Sequence, residues 1–154
     1  MLGYIYKLFD RPARLDTKRV ESCVAKYWRG RGHWAIIHNV YIHSRYEMDT
    51  LSIKSRNVIE TETKVSRGDF LKDLKKGKHR LIRRGVYPAN YLYYACPDGL
   101  IKPEELPYKA GLLWVSDKGT VRMKREAKRI HRKPLRDRLM VKIARKMDKK
   151  LRTA

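Results

Sequence analysis

Two periods govern the apolar positions of this chain, and the places where one gives way to the other mark its elements. Val20, Cys23, Val24, Tyr27 and Trp28 recur at helical spacing and predict a buried stripe. Asp16 or Thr17 is placed to cap that helix, and Gly30 and Gly32 end it. Trp34–Ile42 is apolar and β-prone, punctuated by His38, which predicts a central strand. From Tyr46 the period falls to two. Residues 46–54 and 58–65 read as paired strands around a turn at Ser55-Arg56-Asn57. Phe70, Leu71 and Leu74 predict a second helix over Arg67–Lys76, with Ser66 and Asp69 in capping-box positions and residues 81–88 as a connection. Strands follow at Tyr91–Ala95, Gly111–Val115 and Thr120–Met123. Leu135, Leu139, Ile143, Met147 and Leu151 then define an amphipathic helix after Pro134. Before Asp16 the chain is irregular. Pro12 stops any early helix there, and Tyr4, Ile5, Tyr6, Leu8 and Phe9 are placed to add a short strand or a packed arm. The sum is an α/β fold: a mixed central sheet, two helices against it and a basic C-terminal helix.

Alternation also places charge. Glu47 and Asp49 share a face with Leu51 and Ile53, and Val58, Glu60, Glu62 and Lys64 share a face of the next strand. If the strands pair, Asp49, Glu62 and Lys64 converge. Carboxylates two apart on a strand face are roughly 6–7 Å from each other. Gathering a third beside them costs free energy unless a cation is present. A divalent ion with oxygen ligands and waters is the natural counter-charge. The same pattern also describes an edge strand with a solvated polar face.

Charge bounds the partner. The 154 residues carry 38 Lys and Arg against 16 Asp and Glu, a net charge of +22. That excess predicts a polyanion, nucleic acid first. The basic segments lack a Trp- and Phe-rich face for a membrane surface. Residues 122–154 hold fifteen Lys and Arg and three acids, so a boundary is drawn between a core at 1–121 and a basic extension at 122–154. The extension is suited to docking on the core, clamping nucleic acid or pairing with a second copy as a homodimer. Cys23 and Cys96 form neither a disulfide framework nor a zinc spacing. The opening MLGYIYKLFDRPAR is too short an apolar run for a signal peptide, which leads to the expectation of a reducing cytosol. His33, His38 and His43 form no ligand set with the acids and are expected to be structural.

Asp49 followed by Glu62-Thr63-Lys64 resembles the D…ExK signature of the PD-(D/E)xK nuclease superfamily. EMDTLSI, ETETKVSRGDFLKDLKKGKH and YLYYACPDGLIKPEELP…AGLLWV together resemble a small group of phage and bacterial nuclease-like proteins related to the MmcB-like DNA repair proteins. The likeness covers roughly residues 16–116. One departure is that no proline precedes Asp49. The resemblance implies a restriction-endonuclease-like fold and metal-dependent hydrolysis of DNA in a bacterial or phage-infected cytosol, leaving a 5′-phosphate and a 3′-hydroxyl. It further implies Mg²⁺ or Mn²⁺ on Asp49, Glu62 and the Thr63 backbone, with Glu21 on the first helix and Glu47 as further candidates. Lys64 would assist as the catalytic amine. Lys72, Lys75, Lys76, Lys78, His79 and Arg80, placed directly after the site, with Arg83, Arg84, Arg132 and Lys133, are then expected to hold the phosphate backbone. The competing readings are a non-catalytic basic nucleic-acid-binding protein, of ribosomal or packaging type, and a nuclease-like scaffold without activity. Acids clustered near a phosphate path argue against a pure binder.

Overall fold

The computed structural model describes residues 14–43 and 46–154. The expected N-terminal arm therefore lies outside the described residues. The elements run α1 (Thr17–Gly30), β1 (Ala35–His43), β2 (Tyr46–Lys54), β3 (Asn57–Thr63), α2 (Arg67–Leu74), α3 (Lys78–Arg83), β4 (Tyr91–Pro97), β5 (Gly111–Val115), β6 (Val121–Arg125) and α4 (Asp137–Thr153). The six strands form one mixed sheet in sequence order. Pairing is antiparallel at β1–β2, β2–β3 and β5–β6 and parallel at β3–β4 and β4–β5. A parallel pair needs a crossover, and the one from β3 to β4 is built from α2 and α3. That crossover stacks charged helices directly beyond the end of β3.

Alternation splits β3 between two cores. Val58 points to one side with Leu51, Ile53, Leu92 and Leu112, under Phe70 of α2, Ile82 of α3 and Leu139 and Ile143 of α4. Ile59 points to the other, where Val20, Val24 and Trp28 of α1 cover Tyr93, Ala95, Leu113 and Val115. Thr61 shares that second side: the Trp28 indole donates to its hydroxyl at 3.0 Å. Asp16 caps α1, its carboxylate accepting from the Arg19 amide at 2.8 Å. His33 and His38 pair with Ser52 and Thr50 at 2.8 and 2.9 Å, the structural roles expected of them, while the His43 side chain lies outside the described residues.

Four readings are corrected. Among the described residues β1 is an edge strand, not a central one: it pairs there with β2 alone, and Trp34 and Tyr41 are exposed. Its apolar residues are shared between the two faces, Ala35, Ile37 and Val40 on one and Ile36 on the other. The second helix stops at Leu74, and after Gly77 a further helix, α3, occupies part of what read as a connection; Leu81 and Ile82 give it an apolar side. Leu71 is exposed, and Asp73 takes the buried position beside Phe70. The boundary at 121/122 falls inside β6, and Ala127, Ile130, Leu139 and Ile143 from the basic segment enter the cores. Among the described residues no helix is long and apolar enough to cross a membrane.

Asn90 ties that segment down. Its side chain accepts from the Val58 amide at 2.8 Å and donates to the carbonyls of His131 and Lys133 at 3.0 and 2.9 Å. Asn90→Ala strands a buried amide and two carbonyls, and a loss on the order of 2–3 kcal/mol is expected. Urea unfolding against wild type measures it.

Candidate active site

The hairpin register sets the site. Thr50 stands opposite Thr61 and Leu51 opposite Glu60, so the next step brings Asp49 level with Glu62 on the α2–α3 side of the sheet. The two acids line one cleft of about 430 Å³, with Glu47, Tyr41 and Tyr46 on one bank and Lys76, Gly77 and Lys78 on the other. Asp49 is fixed by the chain it faces: its Oδ2 accepts the Thr63 amide at 2.9 Å. Thr63, expected to offer backbone oxygen to a metal, is thus engaged through its N–H. Lys64 lies one residue past the end of β3, with Nζ 2.8 Å from Glu62 Oε2. Asp49 and Glu62 thus line one cleft, and Lys64 pairs with Glu62.

The crossover adds groups that sequence reasoning missed. Lys78 is not an exposed phosphate contact: it is 2% exposed, and its Nζ is 2.9 Å from Glu62 Oε1, 3.4 Å from Asp73 Oδ2 and 3.6 Å from Glu60 Oε1. His79 is buried as well, its Nε2 3.0 Å from the Asp73 carbonyl. Asp73 is fully buried and gathers Lys76 at 2.8 Å, Lys64 at 3.5 Å and the donated hydroxyl of Tyr94. A signal for Asp73 existed, because it lies at i+3 from Phe70 on the apolar stripe. Of the other proposed phosphate contacts, Lys72, Lys75, Lys76, Arg80, Arg83, Arg84, Arg132 and Lys133 are exposed. Glu21 is not in this cleft. It lines a second one on the α1 side, with Lys18, His38 and Lys150.

The acids divide by environment. Burial and the charge of Glu62 push Asp49 up to about 6, although the Thr63 amide, Lys64 and Lys78 pull the other way. Burial also acts to raise Glu62, but Lys78, a hydrogen bond with Glu60 and Lys64 outweigh it and hold the carboxyl down to about 2. Asp73 is likewise held low against burial by His79, Lys78, Lys64 and Lys76. Burial alone dominates at Glu60 and drives it toward the neutral acid. A carboxyl depressed by folding contributes stability that is complete above its unfolded value and is lost as pH falls. The stability gap between wild type and Glu62→Gln should therefore be full above about pH 4.5 and close on the way down to about pH 2. Urea midpoints across that range test this.

Among the described residues no three His, Cys, Asp and Glu side chains are placed to hold a metal together. Asp49 and Glu62 offer two carboxylates. That set fits a hard divalent cation that keeps most of its waters. Burial, and after it the charge of Glu62, disfavours a bare Asp49 carboxylate, a cost that a bound cation would relieve.

The fold and cleft define a mixed α/β protein with a six-stranded sheet carrying a paired-acid, buried-lysine centre at the end of β3. No family model and no curated protein matches the chain. A solved structure of a protein of unknown function from Silicibacter pomeroyi is similar, with 22% identity over 89% of each chain and a TM-score of 0.70. That likeness establishes a shared fold.

Proposed function

We propose that this protein is a metal-dependent nuclease of the restriction-endonuclease-like, PD-(D/E)xK class that hydrolyses DNA phosphodiester bonds. The observation that carries this reading is the meeting of Asp49 and Glu62 on one cleft with Lys64 2.8 Å from Glu62. A binding protein gains nothing from aiming two carboxylates at a phosphate path. Asp49 and Glu62 would hold Mg²⁺ or Mn²⁺, which when bound supplies charge stabilisation at phosphorus and a more acidic water. Lys64 is a preorganised ammonium whose position Glu62 and Asp73 fix, suited to stabilising charge that develops on the reacting phosphate. Lys76, half-exposed on the cleft bank, and Arg80 beyond it supply cations for the flanking backbone.

The test is conversion of supercoiled plasmid to nicked or linear forms with Mg²⁺ or Mn²⁺, against an EDTA control. Metal-dependent cutting supports the reading. Tight DNA binding without cutting, on duplex, single-stranded and branched DNA alike, would replace it with the non-catalytic binder. The exposed Lys72 and Lys75 carry a separate expectation. Substituting each by Ala should weaken DNA binding with little regard to sequence and reduce the slope of log affinity against log salt by about one. Fluorescence anisotropy across a salt series reads that slope.

A further inference from the structure

The two lysines on Glu62 are not equivalent. Lys64 takes Oε2 and is not among the residues lining the cleft. Lys78 takes Oε1 and lines the cleft together with Asp49 and Glu62. Each Glu62 oxygen thus carries an amine, and Lys78 is the one of the two that shares the cleft with Asp49. An ion held in that cleft by Asp49 and Glu62 would meet Lys78 there. Lys78 also has other acids within reach: its Nζ is 3.4 Å from Asp73 Oδ2 and 3.6 Å from Glu60 Oε1, only slightly further than the 2.9 Å to Glu62. A small swing of the side chain exchanges one acid for two others without bringing the ammonium into water or leaving it unpaired.

Resting on the nuclease reading, we propose that Lys78 is the resident cation of the cleft, which covers Glu62 in the metal-free protein and yields its oxygen, moving onto Asp73 and Glu60, when a divalent ion binds. Lys78 thereby compensates Glu60, Glu62 and Asp73 together. It also makes Lys78 a competitor of the metal, so that metal affinity is set by an ion exchange inside the protein. Lys78 arrives from α3, outside the D…ExK pattern, and acts as a positioning residue.

The experiment measures Mn²⁺ binding in the absence of nucleic acid, from the paramagnetic resonance signal of free Mn²⁺. Lys78→Gln is expected to bind Mn²⁺ about tenfold more tightly than wild type or better, the scale of one close charge pair. Lys76→Gln removes the same charge from the half-exposed bank and should change the affinity little. Lys64→Gln should change it less than Lys78→Gln, because Lys64 holds the other oxygen. Glu60→Gln/Lys78→Gln puts two amides where the Lys78 amine approaches Glu60 at 3.6 Å, so it guards against misfolding from a buried donor or acceptor left without its partner. It should show the same tightening. An equal gain in all three single variants would reveal a general charge effect and overturn the proposal. So would Lys78 variants that bind no more tightly while the wild type binds Mn²⁺ and cuts DNA, an outcome that leaves the nuclease reading intact. Absence of Mn²⁺ binding by every protein at millimolar ion would overturn both.

Discussion

Asp49→Asn is expected to lose metal-dependent DNA cutting by roughly two orders of magnitude or more, and to be at least as stable as the wild type. The two halves of this result come from one cause. Burial and the neighbouring Glu62 charge push the Asp49 carboxyl up to about 6, so at neutral pH the fold holds its charged form at a cost in stability. Replacing it with a neutral amide relieves that repulsion and keeps the shape that accepts the Thr63 amide. It also removes one of the two carboxylates available to a metal. An acid held against its own electrostatic interest marks a group kept for chemistry. Plasmid cutting and thermal unfolding of the same preparation decide it. A variant that cuts normally would remove Asp49 from the site. A variant that unfolds would show that its role is structural.

Asp73→Asn should have the opposite profile. Asp73 is fully buried and compensates Lys64, Lys76 and Lys78 while accepting the Tyr94 hydroxyl. Removing one partner of a buried ion pair leaves uncompensated charge and costs about 3–5 kcal/mol. In a domain of this size that lowers the melting temperature by roughly 10 °C or more. Glu60→Gln supplies the contrast. Burial drives Glu60 toward the neutral acid, so an amide at that position should be tolerated far better. Similar melting temperatures for the two variants would refute this division of charge among the acids. Combining Asp73→Asn with Tyr94→Phe in a double-mutant cycle isolates the share carried by the hydroxyl.

The parts of this molecule legible from its sequence were those fixed by a strong period. The stripe of α1 and the alternation of β2 and β3 each allow one solution once a face is buried, because a one-residue slip turns every side chain over. That determinism brings Asp49 and Glu62 to one face from the sequence alone. What stayed hidden depended on contacts distant in sequence. Lys78-His79-Arg80 reads as a solvated basic run, and nothing local announces that Glu60 and Glu62 wait to receive the first of them. The basic C-terminal segment reads as an appendage when its charge is summed over its length. Position by position, Val121 and Met123 are partly buried while Arg122 and Lys124 are exposed, which is the alternation of an edge strand. The place of β1 at the edge, among the described residues, is hidden in the sequence because apolar residues report covered faces and not how many strands lie alongside.

A crystal grown in Mn²⁺ and measured where manganese scatters anomalously examines the centre most directly. The account predicts an anomalous peak in the cleft, about 2.1 Å from a carboxylate oxygen of Asp49 and one of Glu62. Full-occupancy density for both side chains at saturating Mn²⁺, with no peak between them, would contradict it.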